Sequence, residues 1–542
     1  MVNFMRGACR GLCRAALLAG VLGLSVTAGA TEYGKPEPVV GPIPYLGVHG
    51  LGITPDGRLV AGSVVGQSIS VVDRGSGAVS TLIGPPQGMA DDIAFGPDGQ
   101  MAWTSFQAGI IRAKSPYGDA RVLATGLPGI NSLDYTEDGR LFATQVFLGD
   151  ALYEIDPTGR KPPRKIKENL GGLNGFEIRN GWIYGPLWFK GKVVRVNVDT
   201  GEMQTVADGF KTPAAANFDS KGNLYVVDTQ TGVLTRVDVK TGEKTQVAQL
   251  KPSLDNLAID AQDHIYVSNM ADDSVQEVNP DTGEVRTLVS SKLASPSGLA
   301  LVGNTMYIGD VFAFRTMDIG TGEVGEVARM WASHIEYPLN ANATEDSVVL
   351  SSWATSSVQV YDRSNMKLTR SLGDFKAPQG ALQLDDGSLL VAEMGTGKLL
   401  HVTGEKGEQR TAVVDGLQGP AGVARSKDGK TLYLTTAAGR IWAIDMADWS
   451  KRRVTDGLKL PEGIDLTPAG KLVVMEAGAR RILEVDTETG DASVVAENLP
   501  VGLPQVKGLP PTGVFNDVVA ADNGDLYYTA DVKAGLYRIP RR

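Results

Sequence analysis

Short hydrophobic runs separated by polar turns recur along most of the chain. β-Branched and aromatic residues fill these runs, as at 224–227 and 526–529, and each such run follows a turn that ends in glycine. A second class of turn, often of the form Asp-Thr-Gly, follows runs such as 194–198. No long segment shows the 3.6-residue period of a helix. The pattern therefore predicts short strands connected by hairpin turns. The first class of turn ends at Gly57, Gly99, Gly139, Gly222, Gly387, Gly429, Gly470 and Gly524, and the second at Gly201, Gly242, Gly283, Gly322 and Gly490.

The turns repeat at intervals of about 42 residues, which divides the chain into twelve similar units. Four short strands in every unit of roughly 40 to 45 residues are typical of β-propeller blades. Twelve blades exceed the roughly four to eight that close one ring. We therefore predict an all-β fold of two six-bladed propellers, residues 31–283 and 284–542. A single larger ring and a seven-plus-five division are the alternatives.

Propellers close by pairing strands from distant parts of the chain within one blade, which hides an otherwise exposed edge. We expect residues 37–44 to complete the blade of 253–280, and residues 284–290 to open the second ring and complete its terminal blade. The proline-rich stretch 499–511 breaks the repeat rhythm, and such insertions commonly lie on the functional face. We predict a lid there, with a neutral surface loop as the alternative.

The first thirty residues have the features of a secretory signal peptide. Arg6, Arg10 and Arg14 precede a short apolar core, and small residues at 28–30 predict cleavage after Ala30. The core is shorter than the roughly 20 residues that span a membrane, so no membrane span is expected after cleavage. We expect a periplasmic or secreted protein without disulfides, because both cysteines lie in this segment.

The charge of the chain argues against a nucleic-acid partner. Three of its 52 basic residues lie in the predicted signal, so the remainder carries a formal net charge of −13 against −10 for the whole chain. Such acidity disfavours binding to phosphates. A small-molecule substrate is the expected partner, and a protein partner is the alternative.

The start of each unit is predicted to line the central channel of its ring, where residues distant in sequence meet. Oxygen-bearing side chains dominate these positions in the first ring, and Ca²⁺ takes six to eight such ligands. A site for Ca²⁺, or alternatively Mg²⁺, is predicted, although Asn and Asp also favour turns for local reasons. The unit starts read His49-Gly50, Asp91-Asp92, Asn131-Ser132, Asn174-Gly175, Ala216-Asn217, Asp255-Asn256, Ser297-Gly298, Leu339-Asn340, Gln379-Gly380, Ala421-Gly422, Glu462-Gly463 and Asn516-Asp517.

These starts resemble those of the gluconolactonase, senescence-marker and paraoxonase group of six-bladed propellers. Streptogramin lyases and NHL-type propellers are similar in repeat texture. The segments 173–176 and 254–260 resemble the Asn-Gly and Asp-Asn blade starts of the group, and 461–463 and 515–518 resemble its Glu-Gly and Asn-Asp starts. The resemblance implies metal ligands at Asp91, Asn131, Asn174, Asp255, Asn256, Glu462, Asn516 and Asp517.

The resemblance implies a metal-dependent hydrolase acting on a lactone or ester. Bound Ca²⁺ polarises a carbonyl, and a neighbouring carboxylate or imidazole activates water. The candidate catalytic residues are His49, Asp92 and His334, and the candidate substrate contacts are Trp182 and Trp188. Two alternatives stay open: a streptogramin-lyase-like enzyme using His334 with a Glu462-held metal, and a non-catalytic propeller that binds a protein or a polysaccharide.

Overall fold

The computed structural model describes residues 32–507, 509–511 and 513–542. This part of the chain holds 48 strands and one 3-10 turn, Ala477–Ala479, and contains no α-helix. The strands form twelve four-stranded antiparallel sheets, which confirms the predicted all-β propeller architecture. None of the described residues forms a helix long and apolar enough to span a membrane. The predicted signal peptide lies outside the described residues.

Six consecutive sheets, β2 to β25, make the first ring, because their innermost strands contact one another in sequence order and the sixth returns to the first. The strands are, blade by blade, β2–β5 (Leu51–Ile53, Leu59–Ser63, Ser68–Val72, Val79–Ile83), β6–β9 (Ala90–Phe95, Met101–Ser105, Ile110–Lys114, Arg121–Ala124), β10–β13 (Ile130–Tyr135, Leu141–Gln145, Ala151–Ile155, Arg164–Glu168), β14–β17 (Glu177–Arg179, Trp182–Leu187, Lys192–Asn197, Met203–Ala207), β18–β21 (Pro213–Phe218, Leu224–Asp228, Val233–Val237, Lys244–Gln249) and β22–β25 (Leu254–Ile259, Ile265–Asn269, Ser274–Val278, Val285–Val289).

The other six sheets close a second ring in the same way. Its strands are β26–β29 (Leu299–Val302, Thr305–Asp310, Ala313–Asp318, Val324–Arg329), β30–β33 (Asn340–Ala343, Ser347–Ser352, Ser357–Asp362, Lys367–Leu372), β34–β37 (Pro378–Gln383, Leu389–Glu393, Lys398–Thr403, Gln409–Val414), β38–β41 (Pro420–Arg425, Thr431–Thr436, Arg440–Asp445, Lys451–Thr455), β42–β45 (Pro461–Leu466, Leu472–Glu476, Arg481–Val485, Ala492–Glu497) and, with β1 (Glu37–Val40), β46–β48 (Val518–Ala520, Leu526–Ala530, Gly535–Ile539).

Hydrophobicity within a blade falls from the axis to the rim. The second strand of most blades is fully buried, as in β3 and β19, because neighbouring blades cover both of its faces. The outermost strands, such as β5 and β37, are mostly exposed. Burial therefore explains why the second strands have continuous apolar runs and the outer strands are polar.

Tight packing at each axis explains the glycines at the unit starts. A Cβ on Gly175 would lie 2.4 Å from the Cβ of Ala215 in the next blade, and one on Gly463 would lie 2.2 Å from Oδ1 of Asp517. Distances this short exclude a side chain. The inner strands of successive blades therefore approach one another closely, and the residue before each glycine is held at the ring mouth.

Carboxylates on the inner strands link neighbouring blades. Asp517 accepts hydrogen bonds from its own strand at Val518 N (2.9 Å) and from Leu299 N (2.8 Å), which joins the last blade of the second ring to its first. Four other carboxylates also accept a backbone N–H of the next blade: Asp92, Asp134, Glu177 and Asp465.

The predicted strand partners at the two ring junctions are wrong. β1 does not complete the blade of 253–280 but pairs antiparallel with β48, with Glu37 opposite Arg538. β25, predicted to open the second ring, stays with β24 in the first. The first ring is thus inserted between the first strand of the second ring and the rest of it. Which strands close each ring depends on pairing between distant parts of the chain, and the repeat pattern does not specify that pairing.

Two buried aspartates hold the segments that cross between the rings. Asp273 accepts hydrogen bonds from the backbone N–H groups of Tyr45 (2.9 Å) and Gly47 (2.7 Å) in the first crossing segment. Asp310 accepts bonds from Ala294 and Ser295 in the second, and Arg315 bonds to it at 2.7 Å. The rings are therefore fixed to each other at both crossings.

Substitution of Gly175 by alanine should lower the free energy of unfolding by about 1–3 kcal/mol, because the added methyl overlaps Ala215. Gly373→Ala is the matched control, since its added methyl meets no atom within 4 Å. Thermal unfolding should show a lower Tm for Gly175→Ala alone. An equal Tm for both variants would contradict the close approach of Gly175 to Ala215.

Asp273 should make the protein less stable as pH rises. Burial raises the pKa of Asp273 from 3.8 to about 7, so between these values the folded state holds a proton that the unfolded state has released. The free energy of unfolding therefore falls as pH rises through this window. In the Asp273→Asn variant the side chain has no titratable group. Its amide offers one oxygen to the backbone N–H groups, where the carboxyl group offers two.

The Asp273→Asn variant should have a lower Tm than the wild type at pH 4. The difference in Tm between the two proteins should decrease towards pH 7. Parallel curves of Tm against pH for the two proteins would contradict the raised pKa.

Candidate active site between the two rings

Both ring mouths open onto one cavity of about 620 Å³. The first ring contributes residues of its unit starts, and the second contributes Leu339, Glu462 and Asp531. A volume of this size falls within the range of small-molecule sites. The cavity is therefore the candidate functional site.

Five of the six blades of the first ring place a polar side chain on the cavity floor. These floor residues are His49, Asp91, Asn131, Asn174 and Asp255.

The predicted start of the fifth blade is displaced by two residues. The floor residue of a blade lies five positions before the turn that follows the inner strand. In the fifth blade this turn begins at Asp219, so the equivalent residue is Ala214 and not Ala216. Asn217 lies further along the strand, where its amide bonds to Glu177 at 3.4 Å. The floor thus has an apolar gap at one blade.

The floor holds two buried carboxyl groups whose pKa values are raised. Burial, together with the charges of Asp255 and Asp92, raises the pKa of Asp91 well above its usual range. Burial and the charge of Asp92 raise the pKa of Asp255 to about 7. The Asn131 amide donates to Asp91, whereas the Asp255 carboxylate accepts no hydrogen bond within the described part of the chain. Such a floor favours a proton or a cation.

His49 lines the same cavity as the carboxylates and is a neutral base. Burial lowers the pKa of its imidazole to about 4, so the ring is uncharged at neutral pH. Nδ1 lies 2.9 Å from the carbonyl of Gly47, which fixes the proton on Nδ1 in the neutral ring. Nε2 has no protein partner among the described residues, and it is the nitrogen that remains able to accept a proton.

Aromatic side chains form one side of the cavity and its rim. Phe147 contacts Trp188 and Phe189 edge to face, with centroids 5.4 and 5.7 Å apart. Phe147, Leu148 and Phe189 are 44%, 64% and 55% exposed. Trp188, predicted as a substrate contact, lines the cavity. This apolar rim suits a hydrophobic ligand.

The second ring extends aromatic residues across the first-ring floor. Phe312 packs against His49 with centroids 5.5 Å apart, and Tyr337 packs against Phe312 at 5.9 Å. Tyr337 interacts electrostatically with Asp255 and Asp91, and burial raises the pKa of its phenol. The second ring therefore covers the floor of the first.

The second-ring floor is a smaller acidic cluster. The backbone N–H and the side-chain amide of Asn516 donate to Glu462 at 2.5 and 3.0 Å, and the amide also donates to Asp531 at 3.3 Å. Burial and the charge of Asp531 raise the pKa of Glu462 well above its usual range. Two of the predicted ligands, Glu462 and Asn516, are thus brought together, and Asp517 binds the backbone of the neighbouring blade.

Several predicted site residues do not line the cavity. Asp92 uses both oxygens in the wall of the first ring, accepting from Ile93 N, Leu133 N and the Asn256 amide, so Asp92 and Asn256 have structural tasks here. Their catalytic and metal-binding roles stay predictions.

Two further predicted residues, Trp182 and His334, lie away from the site for different reasons. Trp182 sits at the far end of β15 from Trp188, under Arg195 at 4.8 Å. His334 is exposed and outside the cavity that Glu462 lines, so the predicted pairing of His334 with Glu462 does not form.

The proline-rich insertion borders the cavity. Asp531 accepts hydrogen bonds from Gly502 N and Leu503 N, at 2.7 and 3.0 Å, and the Gln67 amide of the first ring donates to the Pro504 carbonyl at 2.9 Å. Residues 502–506, 509–511, 513 and 514 line the cavity. The insertion therefore borders the candidate site, and its role as a lid stays a prediction.

Sequence reasoning named Glu462 of the second ring but missed the aromatic residues that this ring contributes. Trp331 and Tyr337 lie in the connection between β29 and β30, and Trp353 lies in the turn after β31. None of them sits at a repeated position that lines an axis. The only sequence signal was the density of aromatic residues in 331–353.

The donor chemistry of the first-ring floor fits a hard divalent cation. Asp91 and Asp255 supply carboxylate oxygens, and Asn131 and Asn174 supply amide oxygens, which are the ligand types that Ca²⁺ takes. No three His, Cys, Asp or Glu side chains of the described residues converge as a metal centre, so amide oxygens must complete the set. The Asn131 amide here turns its nitrogen to Asp91, and a cation requires the oxygen there.

Comparison with known proteins places the first ring in a family. Residues 43–309 match the model of the SMP-30/gluconolactonase/LRE-like region, which covers the first ring and the start of the second. No curated protein matches the chain.

Solved structures share only a distant likeness. The tricorn protease is 14% identical over 82% of this chain, with a TM-score of 0.36, and this chain covers 48% of its length, about half. The extracellular domain of BT4673 from B. thetaiotaomicron is 10% identical, with 91% of this chain and 75% of that chain covered and a TM-score of 0.31. Likenesses this weak add nothing to the argument. On this match, residues 43–309, which hold the first ring, belong to the SMP-30/gluconolactonase-like superfamily of β-propellers.

Proposed function

We propose that this protein is an exported, metal-dependent hydrolase that acts on a lactone or ester in the cavity between its rings. The observation that supports this most is the first-ring floor, where oxygen donors line one cavity with a neutral histidine whose Nε2 has no partner among the described residues. The predicted signal at 1–30 supports the export part of the proposal.

Asp91, Asn131, Asn174 and Asp255 would hold the cation. When bound there, a divalent cation polarises a carbonyl and stabilises negative charge on its oxygen. The same ion would offset the repulsion between the Asp91 and Asp255 carboxylates, whose pKa values are raised first by burial and then by neighbouring carboxylates.

His49 would accept the proton of the attacking water. Its Nδ1 is committed to the Gly47 carbonyl, so Nε2 carries the free lone pair. The lowered pKa keeps the base unprotonated at neutral pH. Packing against Phe312 of the second ring fixes the plane of the imidazole.

The second ring would keep bulk water from the reacting bond. Tyr337 and the aromatic wall cover the floor, and the rim at Phe147 and Leu148 offers an apolar entrance. Exclusion of water strengthens electrostatic interactions inside a site. The arrangement suits an uncharged substrate with a hydrophobic body.

Asp255→Asn keeps the size of the side chain and removes one ligand charge. We expect Ca²⁺ to raise the Tm of the wild type by binding the folded state, and to support hydrolysis of aryl esters and lactones. In the variant, Ca²⁺ affinity and Ca²⁺-dependent hydrolysis should each fall by at least about tenfold, as metal-site substitutions commonly do.

Asp56→Asn is the matched control, because Asp56 lies in an exposed turn and pairs with Arg58. It should respond to Ca²⁺ as the wild type does. A wild-type protein whose Tm and ester hydrolysis are both unaffected by Ca²⁺ and by EDTA would exclude the proposed function.

A further inference from the structure

The hydroxyl of Tyr337 is a free hydrogen-bond donor in the cavity wall. Tyr337 lies in the second-ring connection between β29 and β30, and its side chain is partly exposed and lines the cavity. Its oxygen bonds to no described residue and keeps accessible surface, whereas the phenol oxygens of Tyr45 and Tyr528 are enclosed. A phenol has a pKa of about 10, so at neutral pH the hydroxyl is protonated and can donate. A ligand atom in the cavity can therefore reach this donor.

The backbone holds Tyr337 in an unfavourable conformation. Its φ is +40°, in the left-handed region that bulky residues rarely occupy. Pro338 follows it, and the residue before a proline is normally extended. Val311, which also lines the cavity, is left-handed too, with a φ of +34°. Strain of this kind persists only where the surrounding structure enforces it, and it clusters at active sites and ligand sites.

Contacts on both sides enforce the position of Tyr337. The N–H of the preceding residue, Glu336, donates to the side-chain oxygen of Gln359 at 3.1 Å. The Tyr337 ring packs edge to face on Phe312, with centroids 5.9 Å apart. Phe312 in turn fits closely against the first ring, because a Cβ on Gly47 would lie 2.3 Å from its ring. The donor is thus positioned before any ligand binds, which lowers the cost of binding.

The Tyr337 hydroxyl lies near the first-ring floor without a direct bond to it. The Asp255 and Asp91 carboxylates act electrostatically on the phenol. Neither the phenol nor the Asp255 carboxylate forms a hydrogen bond within the described part of the chain, and both line the cavity. A ligand oxygen that is bound over these carboxylates therefore comes next to the phenol.

The proposed function determines which ligand oxygen this is. The substrate would direct its carbonyl oxygen towards the cation site at Asp91 and Asp255, where positive charge polarises the carbonyl. Tyr337 adjoins the same two side chains. Its hydroxyl therefore meets the carbonyl oxygen and not the oxygen of the leaving group.

We propose that Tyr337 of the second ring is a catalytic residue, whose hydroxyl donates a hydrogen bond to the carbonyl oxygen of the lactone or ester bound over the first-ring floor. This rests on the proposed function and deepens it, because it assigns the second ring a part in the reaction. The second ring is then more than a cover over the first.

The hydroxyl would act at the step in which negative charge develops. As water adds to the carbonyl carbon, its proton passes to Nε2 of His49 and the π electrons of the C=O bond move to the oxygen. Tyr337 keeps its proton and shares it with this oxyanion. When the C–O bond breaks, the C=O bond re-forms and the leaving oxygen takes the proton from His49. Hydrogen bonds to charged oxygens are the stronger ones, so Tyr337 lowers the barrier more than it tightens substrate binding.

Tyr337→Phe removes the hydroxyl and keeps the aromatic ring. With Ca²⁺ present, kcat for phenyl acetate and δ-valerolactone should fall about 100-fold or more, as for the loss of one oxyanion donor, while KM changes by no more than about twofold. Calorimetric titration should show unchanged affinity for Ca²⁺. Phenyl methylphosphonate, a tetrahedral anion that carries the oxyanion charge, should bind the variant about tenfold more weakly than the wild type.

Tyr361→Phe is the matched control, because Tyr361 is a buried tyrosine of β32 that does not line the cavity, and it should behave as the wild type does. Tm and Ca²⁺ affinity report whether the variants remain folded. A wild type without Ca²⁺-dependent hydrolysis overturns the proposed function and this inference together. An active wild type whose kcat or phosphonate affinity survives in Tyr337→Phe, or a variant that loses Ca²⁺ affinity instead, overturns the role of Tyr337 alone.

Discussion

Six innermost strands have to meet around each propeller axis, and the narrow space between them determines which residues can stand there. Where successive blades come closest, as at Gly175 and Gly463, no side chain fits. The residue before each of these glycines is held at the ring mouth by the same packing. Asn174 and Glu462 reach the cavity for this reason. The steric constraint that closes the rings therefore also gathers polar side chains from distant parts of the sequence.

Ring closure also determines how the two propellers face each other. Because β1 pairs with β48, the second ring contains both ends of the described chain, and the first ring is joined to it by two crossing segments. Asp273 and Asp310 fix these segments through backbone hydrogen bonds. The mouths consequently share one cavity, in which Asp91, Asp255 and His49 come from the first ring and the aromatic residues that cover them come largely from the second.

The sequence predicts the features that recur in every blade and does not predict those that occur only once. The turns ending at Gly57, Gly99 and their equivalents specify twelve blades, since each hairpin is a local choice. Which strand closes which ring depends on contacts hundreds of residues apart, and the assignments of β1 and β25 failed there. The floor residues were found because they recur at one position of the unit, except in the fifth blade. Trp331 and Tyr337 lie in a connection without a repeat, so only the assembled rings reveal them.

A crystal structure determined in the presence of Ca²⁺ would show whether the first-ring floor is a cation site covered by the second ring. We expect an ion bonded to Asp91 and Asp255 at roughly 2.3–2.6 Å, in a cavity shared with Tyr337. An ion-free floor in which the Asn131 amide still donates to Asp91, or ring mouths that open onto separate cavities, would contradict it.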